Sequence, residues 1–418
     1  MKDMVERKMT NRNLRHWTVN LFRFYYQKGV QAALNNRNPN LWVFSAWEGM
    51  KYSDNAKYLY EYVTTSRPEI ECVWITKNND VFLKLHERGC KVCLVGSDEA
   101  KRVQKRAGVA IYTHGLDDFG DFPYVFGAKL ICLWHGAPVI KKNYSTRAMH
   151  DNKILDFLTN VKAYLFSYIY RDLTIATSEY AARNFRKESL TRKKILVIGQ
   201  PRNDILREAD IGVRKVFSKQ MRDTYCLSDE YVYISYMPTY RGSGSSQKFL
   251  EKLIKEIIDD SELNDFLKTN RIKLLVKMHY LTDITGMRPK GNIIFLDDRD
   301  IECTQYLLAL SQLLITDYSS CSVDYALKGK EILFFAPDLE TYDRENGLYQ
   351  EFLSIIRPYR ISTVRELFQK IKKSKIINYK STGVTYEINK MYNENIDQVG
   401  KYNKIVTDCI IDTFWKVV

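Results

Sequence analysis

Short apolar runs alternate with helix-length stretches of mixed polarity along most of the chain. From residue 41 the runs fall at 41–46, 72–76, 92–95, 109–112, 130–134, 173–176 and 195–198. A second series begins at 231–236 and continues at 273–277, 293–296, 313–316 and 331–335. Helical spacing of apolar residues occupies 55–65, 81–87 and 154–168 in the first series, and 249–259, 302–310 and 322–328 in the second. Short runs that stay apolar, without polar alternation, mark strands buried on both faces. Repeated strand-then-helix order predicts parallel sheets covered by helices. Two such series predict two doubly wound α/β domains, with a boundary near 199–230, where the periodicity weakens. Gly242, Gly244 and the serines around them predict a flexible loop at the head of the second domain.

The first forty residues follow a different rule. Leu14, Trp17, Leu21, Tyr25 and Val30 recur every three to five positions, with Arg15, His16, Asn20, Arg23 and Gln27 between them. This predicts a basic amphipathic helix over 1–38. Eight cations (Lys2, Arg7, Lys8, Arg12, Arg15, Arg23, Lys28 and Arg37) stand against Asp3 and Glu6, a net charge of +6. Such a helix can pack on the protein's own core or lie in a membrane interface. The cationic polar face and the Trp and Tyr residues favour the interface of an anionic membrane.

Composition narrows the class. With 418 residues the chain has room for two or three domains. Its 45% hydrophobic and 27% charged residues exclude a collagen, a mostly disordered chain and a small disulfide scaffold. Lys and Arg total 64 against 50 Asp and Glu, so the net charge is +14. That balance speaks of partners: nucleic acid, an anionic membrane or a phosphorylated substrate. No apolar run reaches the roughly 18–20 residues of a membrane span. The basic start lacks the apolar stretch and cleavage site of a secretory signal. Eight scattered cysteines fit a reducing cytoplasm. Cys90 and Cys93 form a single CxxC with no further ligand pair, so the sequence indicates buried strand cysteines rather than zinc.

In open parallel sheets, ligands bind beyond the carboxyl ends of the strands. Five runs end in polar residues able to do chemistry: His135-Gly136, Gly199 to Asp204, Met237 to Arg241, Met278-His279 and Asp317 to Ser320. Two of only six histidines lie at strand ends, one in each series. An imidazole titrates near neutral pH and can serve as acid or base. Arg202 and Arg241 carry the fork that suits phosphate. Asp317-Tyr318-Ser319-Ser320 precedes a helix, where backbone N–H groups favour anions and where a serine can equally be a simple cap. Asp204 and Asp317 could orient a histidine or serve as turn and cap residues. The chain has no GxGxxG, no P-loop and no nucleophile elbow, which leaves dinucleotide, ATP-driven and acyl-enzyme chemistry without support.

Taken together, these segments resemble one family. Trp134 to Pro138 looks like WHGTP, Gly199 to Asp204 is similar to GxPRND, and Met237 to Arg241 looks like APT(F/W)R. Lys277-Met278-His279 stands where the family has (R/K)xHP, and Ile315 to Ser320 matches ITDYSS. Asp324, the run 332–335, Asp338 to Tyr342 and the block 44–55 with Trp47, Asp54 and Asn55 continue the pattern. The family is the CDP-glycerol glycerophosphotransferases, which includes teichoic acid primases and polymerases and related capsule enzymes. The resemblance runs from about residue 40 to about 360.

The resemblance implies a GT-B-like α/β fold of two Rossmann-like domains facing a cleft: 39–205 for the acceptor and 206–418 for the CDP donor, with C-terminal helices. It implies transfer of a polyol phosphate from CDP-glycerol or CDP-ribitol to a lipid-linked or polymer acceptor at the cytoplasmic face of the cell membrane. His135 would be the general base, and His279 would contact the donor pyrophosphate or assist the leaving nucleotide. Thr239, Arg241, Lys277, Asp317, Ser319 and Ser320 would hold the donor and its phosphates. Gly136, Arg202, Asn203, Asp204 and Asp324 would support the site. No metal ligand set and no cofactor is indicated, and the family pattern leaves a divalent metal open. Ala137 stands where the family has Thr, and Tyr280 where it has Pro. These departures leave the polyol open between glycerol, the first expectation, and ribitol. Two other readings compete: a GT-B sugar transferase using a nucleotide sugar, and a non-enzymatic nucleic-acid binder. The +14 charge favours the second, but no RRM, helix-turn-helix or zinc-finger pattern accompanies it.

Overall fold

The computed structural model describes residues 37–121, 123–136, 140–141, 171–189, 194–207, 211–241, 245–278, 290–296, 303–374 and 383–414. The helix expected over 1–38 lies outside these residues, apart from its last two positions. The helix expected over 154–168 and the loop at 242–244 lie outside them as well.

All twelve apolar runs are strands. The first seven are β1 (Asn38–Phe44), β2 (Glu71–Thr76), β3 (Val92–Leu94), β4 (Ala107–Tyr112), β5 (Lys129–Cys132), β6 (Leu173–Ala176) and β7 (Lys194–Val197). They form one sheet in the order β3-β2-β1-β4-β5-β6-β7. The rest are β8 (Val232–Met237), β9 (Ile272–Lys277), β10 (Ile293–Leu296), β11 (Leu313–Thr316) and β12 (Glu331–Phe335), joined by a two-residue β13 (Arg360–Ile361). Their order is β10-β9-β8-β11-β12-β13. Strand neighbours run parallel in both sheets. The fold is α/β with parallel sheets, as the alternation predicted. β13 carries no apolar run of its own and pairs only Phe334 with Arg360 and Phe335 with Ile361.

The chain forms two compact units. One contains the described residues up to His135, with 171–174 and 407–414. The other contains Gly136, 140–141 and the described residues from Ile175 to Val406. The division passes through β6.

In the first unit, Trp42, Phe44, Tyr60 and Trp74 are fully or almost fully buried around β1 and β2. Tyr60 meets Phe44 and Trp74 edge-on at 5.4 and 5.7 Å, the arrangement that ring quadrupoles favour. Arg37, one of the eight N-terminal cations, is turned into this unit. Its Nη1 donates to the Gln104 and Ala107 carbonyls at 3.0 and 2.8 Å, and Nη2 reaches those of Tyr124 and Phe126. That cation therefore anchors the start of β1 rather than adding to a lipid-facing surface. In the second unit the core gathers Ile234, Leu274, Ile315 and Phe335 from the strands with Leu250, Leu267 and Phe368 from the helices.

Candidate functional site

Both sheets share the order 3-2-1-4-5-6, which the first extends by a seventh strand, so each reverses direction between its first and fourth strand. A ligand crevice forms at such a reversal because the connections leave in opposite directions. In the first unit the reversal lies between β1 and β4; in the second, between β8 and β11. The candidate residues can be followed from these two points.

Beyond β4 and β5 in the first unit, His114, His135 and Trp134 stand in a column, and Trp47 lies tilted beside His114, 6.2 Å from His135. Trp47 lies 4.6 Å from His114, His114 lies 3.8 Å from His135 at an interplanar angle of 7°, and His135 lies 4.7 Å from Trp134. A cation lies against each tryptophan: Lys51 5.0 Å from the Trp47 ring and Arg171 5.2 Å from the Trp134 ring. Thr113 organises the two imidazoles. His135 Nδ1 lies 3.2 Å from the Thr113 carbonyl oxygen. A carbonyl only accepts, so His135 Nδ1 carries the proton and Nε2 holds the lone pair. His114 Nδ1 lies 2.9 Å from the Thr113 hydroxyl.

The backbone around the column is strained and braced. Trp47, Glu48, Asp54 and Trp134 all have left-handed φ, between 52° and 64°. Each costs a side-chain-bearing residue about 1–2 kcal/mol, so other contacts must hold it. Buried Asp118 accepts from the backbone N–H groups of Glu48, Thr113 and His114 at 2.6, 2.9 and 3.2 Å. Trp47 Nε1 donates to Asp54 at 3.2 Å. Asn55 donates to the carbonyls of Leu133 and Trp134 at 3.1 and 2.9 Å. Burial, with a smaller push from His135 against the pull of Asp54, drives the His114 pKa down to about 3. His114 is therefore neutral at physiological pH.

Beyond β8 and β11 in the second unit, Thr239, Arg241 and Asp317 form one buried cluster. Asp317 accepts from the Thr239 hydroxyl at 2.6 Å, its backbone N–H at 2.9 Å and the Tyr318 N–H at 2.5 Å. Arg241 Nη2 donates to Asp317 at 2.7 Å, Nε to Asp338 at 2.7 Å and Nη1 to the Thr239 carbonyl at 2.7 Å. The Tyr318 hydroxyl donates to Asp338 at 2.9 Å. Burial alone would weaken the Arg241 cation, but Asp317 and Asp338 outweigh it and hold its proton above the ordinary arginine range. Arg241 is thus turned inward, bracing the loop after β8 against the loop after β11. Lys277 ends β9, half-buried. The Ser319 hydroxyl accepts from the Cys321 N–H at 3.4 Å. Ser320 precedes the helix Cys321–Ala326 without a side-chain capping bond.

A second buried network in this unit is built on the PRND segment. Asp324 accepts from Arg202 at 2.7 Å and from Asn203 at 2.8 Å. Gln305 joins it, donating to Asn203 at 2.8 Å and Asp324 at 3.1 Å. Gln200 donates to the Gly136 carbonyl at 3.1 Å. Gly136 has φ of +156°, and a Cβ there would stand 2.9 Å from Ser320 Oγ. Asp204 turns elsewhere: it accepts from the backbone N–H groups of Gly400, Tyr402 and Asn403 at 2.8–2.9 Å, where the helix Tyr402–Phe414 begins. Its position there is that of a cap.

The structure thus groups Thr239, Arg241 and Asp317 in one cluster, and Arg202, Asn203 and Asp324 in another near Gly136 and Ser320. His135 stands in the first unit's ring column. His279, Ala137 and Tyr280 lie outside the described residues. Sequence reasoning passed over His114, Asp118 and Gln305, and gave Asp338 no role beyond its place in the family pattern. His114 did carry a signal, since it follows β4 just as His135 follows β5. No signal along the chain joined Asp338 to Arg241, 97 residues away.

Comparison with known proteins places the chain. It is 26% identical over 344 residues to the teichoic acid poly(glycerol phosphate) polymerase of Staphylococcus epidermidis, covering 76% of this chain and 43% of that one. It is also 26% identical over 247 residues to the teichoic acid ribitol-phosphate polymerase TarL of Staphylococcus aureus, covering 58% of this chain and 42% of that one. The chain therefore spans less than half the length of either relative. The solved structure of the wall teichoic acid polymerase TagF superposes with a TM-score of 0.74 at 22% identity, covering 97% of each chain, and so shares the fold. The family described as CDP-glycerol:poly(glycerophosphate) glycerophosphotransferase matches residues 28–406. On that match over most of its length, the chain belongs to the CDP-glycerol:poly(glycerophosphate) glycerophosphotransferase family.

Proposed function

We propose that the chain is a CDP-polyol phosphotransferase. It moves glycerol phosphate, or ribitol phosphate, from a CDP-activated donor to an acceptor hydroxyl in teichoic acid or capsular polymer synthesis. The observation that carries this reading beyond family membership is the contact of His135 Nδ1 with the Thr113 carbonyl, because it puts the lone pair on Nε2. That nitrogen takes the acceptor O–H proton as the oxygen bonds to phosphorus and the bridging P–O bond breaks, releasing CMP. Phosphoryl transfer depends mainly on positioning and charge stabilisation, and an inventory of imidazoles, cations and hydroxyls is adequate for it. Lys277, His279, Ser319 and Ser320 meet the donor. Arg241 serves it indirectly, through the Thr239–Asp317 loops that it braces. The acceptor is lipid-linked or polymeric, and the basic N-terminal segment holds the chain at an anionic membrane on its cytoplasmic side.

The test is product analysis with CDP-glycerol, CDP-ribitol and nucleotide sugars on a lipid-linked acceptor. CMP release with polyol phosphate transfer is expected, and His135→Ala should lose at least about 100-fold in rate. Release of UDP or GDP from a nucleotide sugar, or a near-wild-type rate in that variant, overturns the reading.

A further inference from the structure

His114 and His135 face the same way. Their rings are parallel to within 7° at 3.8 Å, and both Nδ1 atoms are tied to Thr113, one to its carbonyl and one to its hydroxyl. With both Nδ1 atoms turned toward one residue, both Nε2 atoms point away from it, side by side. Their protonation is complementary. His135 Nδ1 donates to a carbonyl, so its Nε2 is an acceptor. The buried Thr113 hydroxyl needs an acceptor for its own proton, and among the described residues that acceptor is His114 Nδ1, while its oxygen accepts from the Trp47 backbone N–H at 3.3 Å. His114 Nε2 then carries the N–H and is a donor. Burial keeps His114 neutral, so this N–H persists across the working pH range.

We propose that His114 is a specificity-determining residue that reads the hydroxyl next to the one under attack, so that the pair recognises a vicinal diol at the acceptor terminus. The inference rests on the general-base reading of His135. One hydroxyl gives its proton to His135 Nε2 and its oxygen bonds to phosphorus. The oxygen on the adjacent carbon accepts from His114 Nε2–H, which keeps its proton throughout. An acceptor of the glycerol phosphate kind ends in such a diol. Neighbouring oxygens on adjacent carbons fit an accepting and a donating nitrogen held one ring-stack apart. The surrounding structure keeps the pair in register: Trp134 covers the outer face of His135, Trp47 packs tilted against the side of His114, and Asp118 fixes the backbone of residues 113 and 114.

The test pairs a change in the residue with a change in the substrate. Acceptors ending in glycerol phosphate or in propane-1,3-diol phosphate, which lacks the neighbouring hydroxyl, are compared in wild type, His114→Phe and His114→Gln. Wild type should prefer the glycerol terminus by at least about 10-fold in kcat/KM, since a site built to bond a hydroxyl rejects an analogue without it. His114→Phe keeps a ring in the stack but no donor, and should lose that preference. His114→Gln restores an N–H and should recover part of it. If His114→Phe slows both acceptors by the same factor while His135→Ala abolishes transfer, His114 only packs and this inference falls alone. If His135→Ala stays active, the base reading falls and this inference with it.

Discussion

Arg241 and Asp317 form an ion pair at 2.7 Å in which neither side chain is more than 3% exposed. Asp338 holds the other edge of the guanidinium at 2.7 Å. Removing one partner of such a pair leaves uncompensated charge in the interior, at a cost of about 3–5 kcal/mol. Arg241→Ala strands two carboxylates, so it should reach that range in urea titrations. Arg241→Lys retains the charge without the fork, and should fall between it and wild type. A stability loss under about 1 kcal/mol in Arg241→Ala would show that the cluster does not brace these loops.

Asp204 should behave as a cap. It accepts from three backbone N–H groups at residues 400–403 and from the Asn403 amide at 2.7 Å. Asp204→Ala should lower stability by about 2 kcal/mol, at the upper end for a cap, and speed amide exchange at 400–403 more than elsewhere. Uniform exchange across the second unit would argue against local capping.

Asp118 predicts a pH dependence. Burial pushes its pKa up to about 6, against the backbone N–H bonds that favour the charged form, while an unfolded aspartate titrates near about 3.9. Between these values the folded chain binds more protons than the unfolded one. The contribution of Asp118 to stability is therefore complete below about 4, is lost as pH rises to about 6, and is flat above. The stability difference between wild type and Asp118→Asn should shrink by on the order of 2 kcal/mol across that window. Parallel pH profiles for the two proteins would contradict the shift.

Gly136 should resist substitution. Its φ of +156° is one that side-chain-bearing residues rarely adopt, and a methyl group there would stand 2.9 Å from Ser320 Oγ, which would have to move. Gly136→Ala should cost about 1–3 kcal/mol, read as a lower thermal midpoint. Adding Ser320→Gly removes the hydroxymethyl group and should recover the steric share. A double variant no more stable than Gly136→Ala would assign the whole cost to the backbone angle.

The strands were legible because strands buried on both faces must stay apolar, as the four-residue β11 shows with every position buried. β13 was not legible: two residues, Arg360 and Ile361, carry no period. The strand-end residues were legible as positions, since a parallel sheet gathers its carboxyl ends along one edge. Their partners were not. Arg202 and Arg241 read along the chain as forks suited to phosphate, and the fold sets both against buried carboxylates. Asp204 sits beside them in sequence, yet it caps a helix almost two hundred residues on.

By itself, then, the sequence determined the α/β alternation, the edges where chemistry gathers, and the family through the order of its motifs. Those properties are local, written in runs of a few residues and the spacing between them. Tertiary structure alone decided which charges face each other, which carboxylate is a cap, and that His114 lies flat against His135. Such pairings join residues tens to hundreds of positions apart. Whether a buried polar group becomes a brace, a cap or a proton acceptor depends on what the fold brings within hydrogen-bond reach.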